Sequence, residues 1–285
     1  GRPILLANSW IWRRIPKSIA CKPPAAQYGR MIQSLVRMRE RGAREQSTWT
    51  CFLRNRAEFD FISRLANIRR ADELMVIAVL GCSTGAEAFS TAWASRQSPA
   101  KVEIHASDID RKVVEFARAG LYPIEARELV GLSQSEIGEL LEPAGVSGLK
   151  VKEQWRRLID WSVLDACDDA VATSARNHYD VILANRFLCH MQKDDARRGL
   201  RNIARMVKPG GILLVSGVDV DVRAEVTREL GFEPIDEEIE ALHDGNVALI
   251  EAWPLEYYGL EPIDRGFSDW RYRYGVAFRK PTRTV

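Results

Sequence analysis

Apolar positions along the chain follow two regimes, and the change falls at Leu74. Before it, Tyr28, Met31, Ile32, Leu35, Val36 and Met38 recur at about helical spacing between arginines, and Phe59, Ile62 and Leu65 repeat the pattern, which predicts two helices. Pro23-Pro24 separates them from a looser leader. From Leu74 to Leu80 the apolar residues run without a break, rich in Val and Ile and bounded by glycine, as in a strand buried on both faces of a parallel sheet. Further strands are predicted over 102–106, 159–164, 181–184, 212–216 and 247–251, with helices over 87–94, 111–119, 194–207 and 223–230. Alternating strands and helices mark an open, doubly wound α/β sheet. Pro209-Gly210-Gly211 breaks the chain between a helix and the next strand, and residues 121–158, the least regular part, read as a helix near 134–141 with one or two short strands.

Composition agrees with a globular reading. The chain has 285 residues, 46% hydrophobic and 28% charged, enough for one large domain or one domain with a smaller appendage. No apolar run approaches the roughly 20 residues of a membrane-spanning helix. The opening stretch 3–12 is short and runs into Arg13 and Arg14 without a small-residue cleavage site, so a soluble, cytoplasmic protein with no membrane insertion is expected. Because the chain begins at Gly1 rather than Met, its N-terminus is read as truncated. Cys21, Cys51, Cys82, Cys167 and Cys189 form no CxxC pair, and with four histidines they offer no zinc spacing, which points to a reducing compartment and no metal.

Charge changes the picture more. The formal net charge is +2, yet residues 1–70 hold 15 Lys+Arg against 4 Asp+Glu, while residues 71–285 hold 26 against 35. The chain therefore divides into a basic N-terminal helical domain, 1–70, and an acidic α/β domain, 71–285. A basic face attracts nucleic acid, anionic lipid or an acidic protein segment, or it simply docks on an acidic neighbour.

The candidate chemistry lies at the predicted strand tips. Gly81-Cys82-Ser83-Thr84-Gly85 ends the first strand and leads into a helix carrying Glu87. Two glycines let the backbone turn sharply and approach a ligand where such sheets bind cofactors, although a tight strand-to-helix turn needs them too. The stretch lacks both the dinucleotide GxGxxG and the P-loop lysine, which argues against a diphosphate. Asp108, in Ala106-Ser107-Asp108-Ile109-Asp110, lies 23 residues after Gly85, where an acid takes both hydroxyls of a ribose; Asp110 suits a helix N-cap better. Asp165-Ala166 follows the next strand, placed to meet an adenine amino group. A glycine turn, a ribose acid and an adenine acid without phosphate chemistry describe an adenosine ligand, of which S-adenosylmethionine is the commonest without a diphosphate.

From about Thr48 to Ser216 the chain resembles the chemotaxis-receptor glutamate methyltransferases (CheR type). Thr50-Cys51-Phe52-Leu53-Arg54 is similar to the family's Thr-x-Phe-Phe-Arg, Gly81 through Glu87 to its Gly-Cys-Ser-Thr-Gly-Glu-Glu, and Ala106 through Asp110 to its Ala-Ser-Asp-Ile-Asp. Ala119-Gly120-Leu121-Tyr122 and Val207-Lys208-Pro209-Gly210-Gly211 resemble two later segments. The resemblance implies a class I (Rossmann-like) methyltransferase sheet with a small N-terminal helical domain, S-adenosylmethionine as cofactor, and methyl ester formation on a carboxylate. It implies that Thr50 and Arg54 face the methionine end, Arg54 beside the transferred methyl and the substrate carboxylate. Gly81, Cys82, Ser83, Thr84 and Gly85 would form the cofactor loop, Glu87 would hold the amino group, Asp108 with its neighbour Ile109 the ribose, and Asp165 with Ala166 the adenine.

The chain departs from the family at the fourth strand tip. Asn185-Arg186-Phe187-Leu188-Cys189-His190 stands where the family has Arg-Asn-x-x-x-Tyr, so the cofactor contacts Asn185 and Arg186 are inverted and His190 replaces a tyrosine near the methyl group. Ala86 replaces the first glutamate of the glycine motif, and Ala88-Phe89 the usual Pro-Tyr. A carboxylate acceptor is already ionised at neutral pH and needs no base, whereas a hydroxyl or amine gains from an imidazole; His190 is therefore either a general base for another acceptor or a hydrogen-bonded wall residue. Trp253, Tyr257, Tyr258, Trp270, Tyr272 and Tyr274 crowd the C-terminal end, with Pro254 and Pro262, as a lid or, preferably, an edge pair of strands over 247–251 and 272–278 joined by 259–269.

Three readings follow. The first is a protein carboxyl methyltransferase whose basic domain docks an acidic segment; the second a methyltransferase for a small-molecule metabolite, O- or N-methylating with His190 as base; the third a cofactor-binding adaptor without turnover. The full set Arg54, Glu87, Asp108 and Asp165 weighs against the third. No Asn/Asp-Pro-Pro-Tyr motif is present at a strand tip, so nucleic acid is not expected as substrate.

Overall fold

The computed structural model describes residues 14–16, 19, 22, 24, 25, 28, 29, 50–245 and 261–282. The first predicted helix from Met31 onward, the predicted strand 247–251, and Trp253, Pro254, Tyr257 and Tyr258 lie outside the described residues.

Helix α1 (Arg56–Asn67) leads into β1 (Leu74–Leu80), α2 (Ala86–Ala94), β2 (Lys101–Asp108) and α3 (Arg111–Ala119). The irregular stretch then holds β3 (Leu121–Pro123), α4 (Gln134–Leu140), β4 (Leu141–Ala144), β5 (Gly148–Val151) and α5 (Glu153–Arg156). Alternation resumes with β6 (Ile159–Val163), α6 (Asp169–Ser174), β7 (Tyr179–Asn185), α7 (Lys193–Met206), β8 (Val207–Ser216) and α8 (Val220–Glu229). Last come β9 (Glu233–Pro234), α9 (Ile239–Asp244), α10 (Trp270–Tyr274) and β10 (Ala277–Arg279).

Seven strands form one sheet in the order β6-β2-β1-β7-β8-β10-β9. The first five are parallel, and β10 runs antiparallel to both β8 and β9. This is the expected class I methyltransferase sheet. Chain direction across the sheet reverses between β1 and β7, which opens a crevice at their carboxyl ends.

The uninterrupted apolar run of β1 has its reason in the layers around it. Met75, Ile77 and Val79 join a core with α1, α2 and a small sheet, whereas Ala78 and Leu80 join a second core with α6, α7 and α8. Helix α1 contributes Phe59, Ile62 and Ala66 to the first core, so it is fastened directly to the sheet. Ile62 is fully buried, and its truncation to Ala would cost about 2–5 kcal/mol.

The irregular stretch folds into a three-stranded antiparallel sheet, β3-β5-β4, one strand more than the upper expectation. Ser133 and Glu136 close a capping box on α4, and Arg56 of α1 pairs with Glu136 through a forked contact at 2.5 and 3.0 Å. Burial and the Tyr122 contact described below make this small sheet a brace for the crevice.

Two expectations need correction. Residues 272–274 are helical rather than strand: in α10 the Tyr274 side chain turns inward, fully buried, to donate to Glu261 Oε1 at 3.0 Å, while Arg273 pairs with Asp221 at 2.6 Å. Alternating aromatics and arginines imitate a strand there, but the packing of α10 on α8 decides, and the strand starts only at Ala277. Pro209-Gly210-Gly211 does not separate α7 from β8; it forms an irregularity inside β8, between the pairs Tyr179–Val207 and Val181–Ile212.

Candidate functional site

The crevice is a cleft of about 320 Å³, in the size range of small-molecule sites. Its floor is the turn after β1. Gly81 (φ 66°), Ser83 (φ 49°) and Gly85 (φ 91°) all take left-handed backbone, which wraps the chain around the tip of β2. A Cβ on Gly85 would stand 2.9 Å from the Ala117 methyl and 3.0 Å from the Trp161 ring, so only glycine fits. Tyr122 donates from the small sheet to the Thr84 carbonyl at 2.6 Å, and Thr84 Oγ1 donates to Glu128 at 3.3 Å.

Asp108 serves this floor first. Its Oδ2 accepts from the Ser83 amide at 2.9 Å and its Oδ1 from the Asp110 amide at 3.1 Å, while Asp110, as expected, caps α3 through the Lys112 amide at 2.8 Å. A carboxylate has about four acceptor positions, so Asp108 keeps capacity toward the cleft. Asp165, exposed at the tip of β6, accepts from the Cys167 amide at 2.8 Å and likewise keeps capacity.

The wall under β7 is charged. Asn185 Nδ2 donates to Glu58 Oε1 at 2.5 Å and to Glu87 Oε1 at 2.7 Å, and Ser216 donates to Asn185 Oδ1 at 2.7 Å. Arg186 follows with a left-handed backbone (φ 64°), uncommon for a side chain of this size, held by its amide on the Ser216 carbonyl at 2.9 Å. Burial and the neighbouring Arg54 pull the Arg186 guanidinium down to about 9, still cationic at neutral pH. Its Nη1 is buried without a hydrogen-bond partner among the described residues.

Of the residues expected in the site, Thr50, Arg54, Gly81, Ser83, Glu87, Asp108, Ile109, Asp165, Ala166, Asn185, Arg186 and His190 line this one cleft. Cys82, Thr84 and Gly85 do not line it. Cys82 is buried, with its thiol raised by burial, and Thr84 and Gly85 hold the turn in shape. Leu164, Phe187 and Met191 also line the cleft and carry no motif signal; they supply apolar wall. Glu58, from the first turn of α1, was legible only as part of an amphipathic helix. Among the described residues no group of His, Cys, Asp and Glu could hold a metal ion, and no helix is long and apolar enough to cross a membrane.

A family model described as "CheR methyltransferase, SAM binding domain" matches residues 48–229, more than half of the chain. The chain belongs to the CheR methyltransferase family. Within that CheR family, Chemotaxis protein methyltransferase 1 of Vibrio cholerae serotype O1 is 29% identical over 114 residues, 40% of this chain and 40% of that protein. Chemotaxis protein methyltransferase of Escherichia coli (strain K12) is 27% identical over 171 residues, 58% of each. The chain thus spans about half the length of these curated relatives. Among solved structures, the [4+2]-cyclase SpnF aligns over 90% of this chain and 96% of its own at 16% identity and a TM-score of 0.43, a loose likeness. S-adenosylmethionine is the cofactor of this CheR domain, and the donor set of the cleft fits it: strand-tip acids for a diol and an amino group, a buried acid for an ammonium, and a buried, unpartnered guanidinium N–H for a carboxylate.

Proposed function

We propose that this chain transfers the methyl group of S-adenosylmethionine to a carboxylate oxygen, on an acidic segment of a protein. One observation carries the choice of acceptor: two guanidiniums, Arg54 and Arg186, line the same cleft. A guanidinium binds a carboxylate in a forked geometry, and a cleft wall carrying two of them suits carboxylate ligands, the cofactor's methionine end and an acceptor side chain alike.

When bound, S-adenosylmethionine would supply an electrophilic sulfonium methyl, which the acceptor carboxylate oxygen would take as the carbon–sulfur bond breaks and S-adenosylhomocysteine leaves. Glu87 holds the cofactor's ammonium, Asp108 its ribose hydroxyls and Asp165 with Ala166 its adenine amino edge; Ile109, Leu164, Phe187 and Met191 give the rings an apolar wall. Arg54 orients the acceptor carboxylate, which is ionised already, so the site contributes alignment and exclusion of water rather than proton transfer. In this reading residues 1–70 form the basic docking unit and lend Arg54 to the site, residues 71–285 form the cofactor-binding catalytic domain, and the protein works in the cytoplasm.

His190 in the cleft wall supports a second reading, a small-molecule O- or N-methyltransferase in which its imidazole takes a proton. The stability of the methylated product separates the two, because mild alkali cleaves a methyl ester to methanol and leaves methyl ethers and methylamines intact.

A further inference from the structure

We propose that Glu58 is a second carboxylate for the cofactor's α-ammonium, sharing it with Glu87 across a small chamber in the side of the cleft. The assignment rests on the S-adenosylmethionine reading of the site. Glu58 is 3% exposed, and no step of the methyl transfer uses it. It reaches the site because α1 packs its buried face on α2 and the sheet, which brings the carboxylate beside the end of β7.

The geometry is that of a cation seat. Glu58 Oε1 and Glu87 Oε1 accept from the same amide nitrogen, Asn185 Nδ2, at 2.5 and 2.7 Å. Ser216, donating to Asn185 Oδ1 at 2.7 Å, fixes the amide with its NH₂ toward the two acids. Beside the pair lies a cavity of about 10 Å³, lined also by Arg54 and Arg186, roughly the room of one water. It shares Arg54, Glu87, Asn185 and Arg186 with the main cleft and so lies directly beside it. An ammonium has that size and carries three donors, enough for two carboxylates that one amide serves only in part.

Electrostatics in the cofactor-free chain fit this role. Burial first, and the Glu87 charge second, push the Glu58 carboxyl up to about 7, against the Asn185 hydrogen bond and the charges of Arg54 and Arg186. Around it stand Arg54 before α1, Glu87 on α2, Arg186 after β7, and the Cys51 thiol, itself raised by burial. A cation entering the chamber stabilises the ionised form, so cofactor binding near neutral pH releases a proton from Glu58.

The test is calorimetric titration of the full chain with S-adenosylhomocysteine, which keeps the ammonium, at pH 6, 7 and 8 in two buffers of different ionisation heat. Wild type should release about half a proton at pH 7 and bind about tenfold more tightly at pH 8 than at pH 6. Glu58→Gln should release none, show a flat pH profile, and bind about tenfold more weakly than wild type at pH 8. A Glu58→Gln variant matching wild type in affinity and proton release overturns the role of Glu58 and leaves the cofactor reading standing. Failure of wild type to bind S-adenosylhomocysteine overturns both. Should the variant not fold, a wild-type affinity that is flat from pH 6 to 8 without proton release overturns the proposal by itself.

Discussion

Replacing Asp108 with Ala tests the ribose assignment and carries a magnitude that follows from its contacts. In the free chain this carboxylate accepts from the Ser83 and Asp110 amides at 2.9 and 3.1 Å, and two of its acceptor positions stay available for a vicinal diol. Hydrogen bonds to a charged group contribute about 1.5–3 kcal/mol each, so losing both diol contacts costs about 3–6 kcal/mol of cofactor binding, a factor of roughly 10² to 10⁴. The turn loses two acceptors as well, but these bonds are part-buried and exposed, so water takes the place of the carboxylate and the free protein should be destabilised by only about 1–2 kcal/mol. Asp108→Asn keeps one carbonyl acceptor and should fall between wild type and Asp108→Ala. Calorimetric titration with S-adenosylhomocysteine reads the first effect, and denaturant unfolding of the cofactor-free protein the second. An Asp108→Ala protein that unfolds as expected yet binds S-adenosylhomocysteine with wild-type affinity would refute the ribose role, because its loop would be damaged and its ligand contacts intact.

Arg54→Ala should lower turnover by roughly a hundredfold while S-adenosylhomocysteine affinity changes by only a few fold, since this arginine is assigned to the acceptor; equal losses in both would place it on the cofactor instead. His190→Phe and His190→Tyr should both keep turnover across pH 6–9; a loss in both that is largest at high pH, beside a wild-type rate that falls toward low pH, would establish a base. Stability of the cofactor-free protein should depend on Glu58 with a definite sign. Its carboxyl, raised from 4.5 to about 7, contributes stability that is present below 4.5 and lost as the pH rises through 7. Glu58→Gln should therefore gain in melting temperature relative to wild type between pH 5 and pH 8, and a difference that stays constant over that range would contradict the burial argument.

The centre of the sheet was legible because β1, β7 and the second half of β8 are buried on both faces. The run Leu74–Leu80 coincides with β1, and 111–119 with α3, where Asp110 and the left-handed Gly120 cap the two ends. Boundaries slipped where tertiary contacts override local pattern. Trp270–Tyr274 alternates like a strand and folds as a helix, because Tyr274 and Arg273 find buried and ionic partners on α8, α9 and the segment at Glu261. The strand-tip acids were legible because Asp108 and Asp165 follow predicted strands within two residues. Glu58 was not: it meets Asn185 across 127 residues of chain, and only the packing of α1 on the sheet makes that contact. Phe187 and Met191 were equally silent, since an apolar wall residue has no signature in sequence.

The account stands or falls on the bond that the transferred methyl enters. Purified protein incubated with a cell extract and methyl-labelled S-adenosylmethionine, followed by size fractionation and mild alkali, reads that bond directly. The account predicts label on protein that alkali releases as methanol, absent with Asp108→Ala. Alkali-stable label on a small molecule, or no transfer to any fraction, would contradict it.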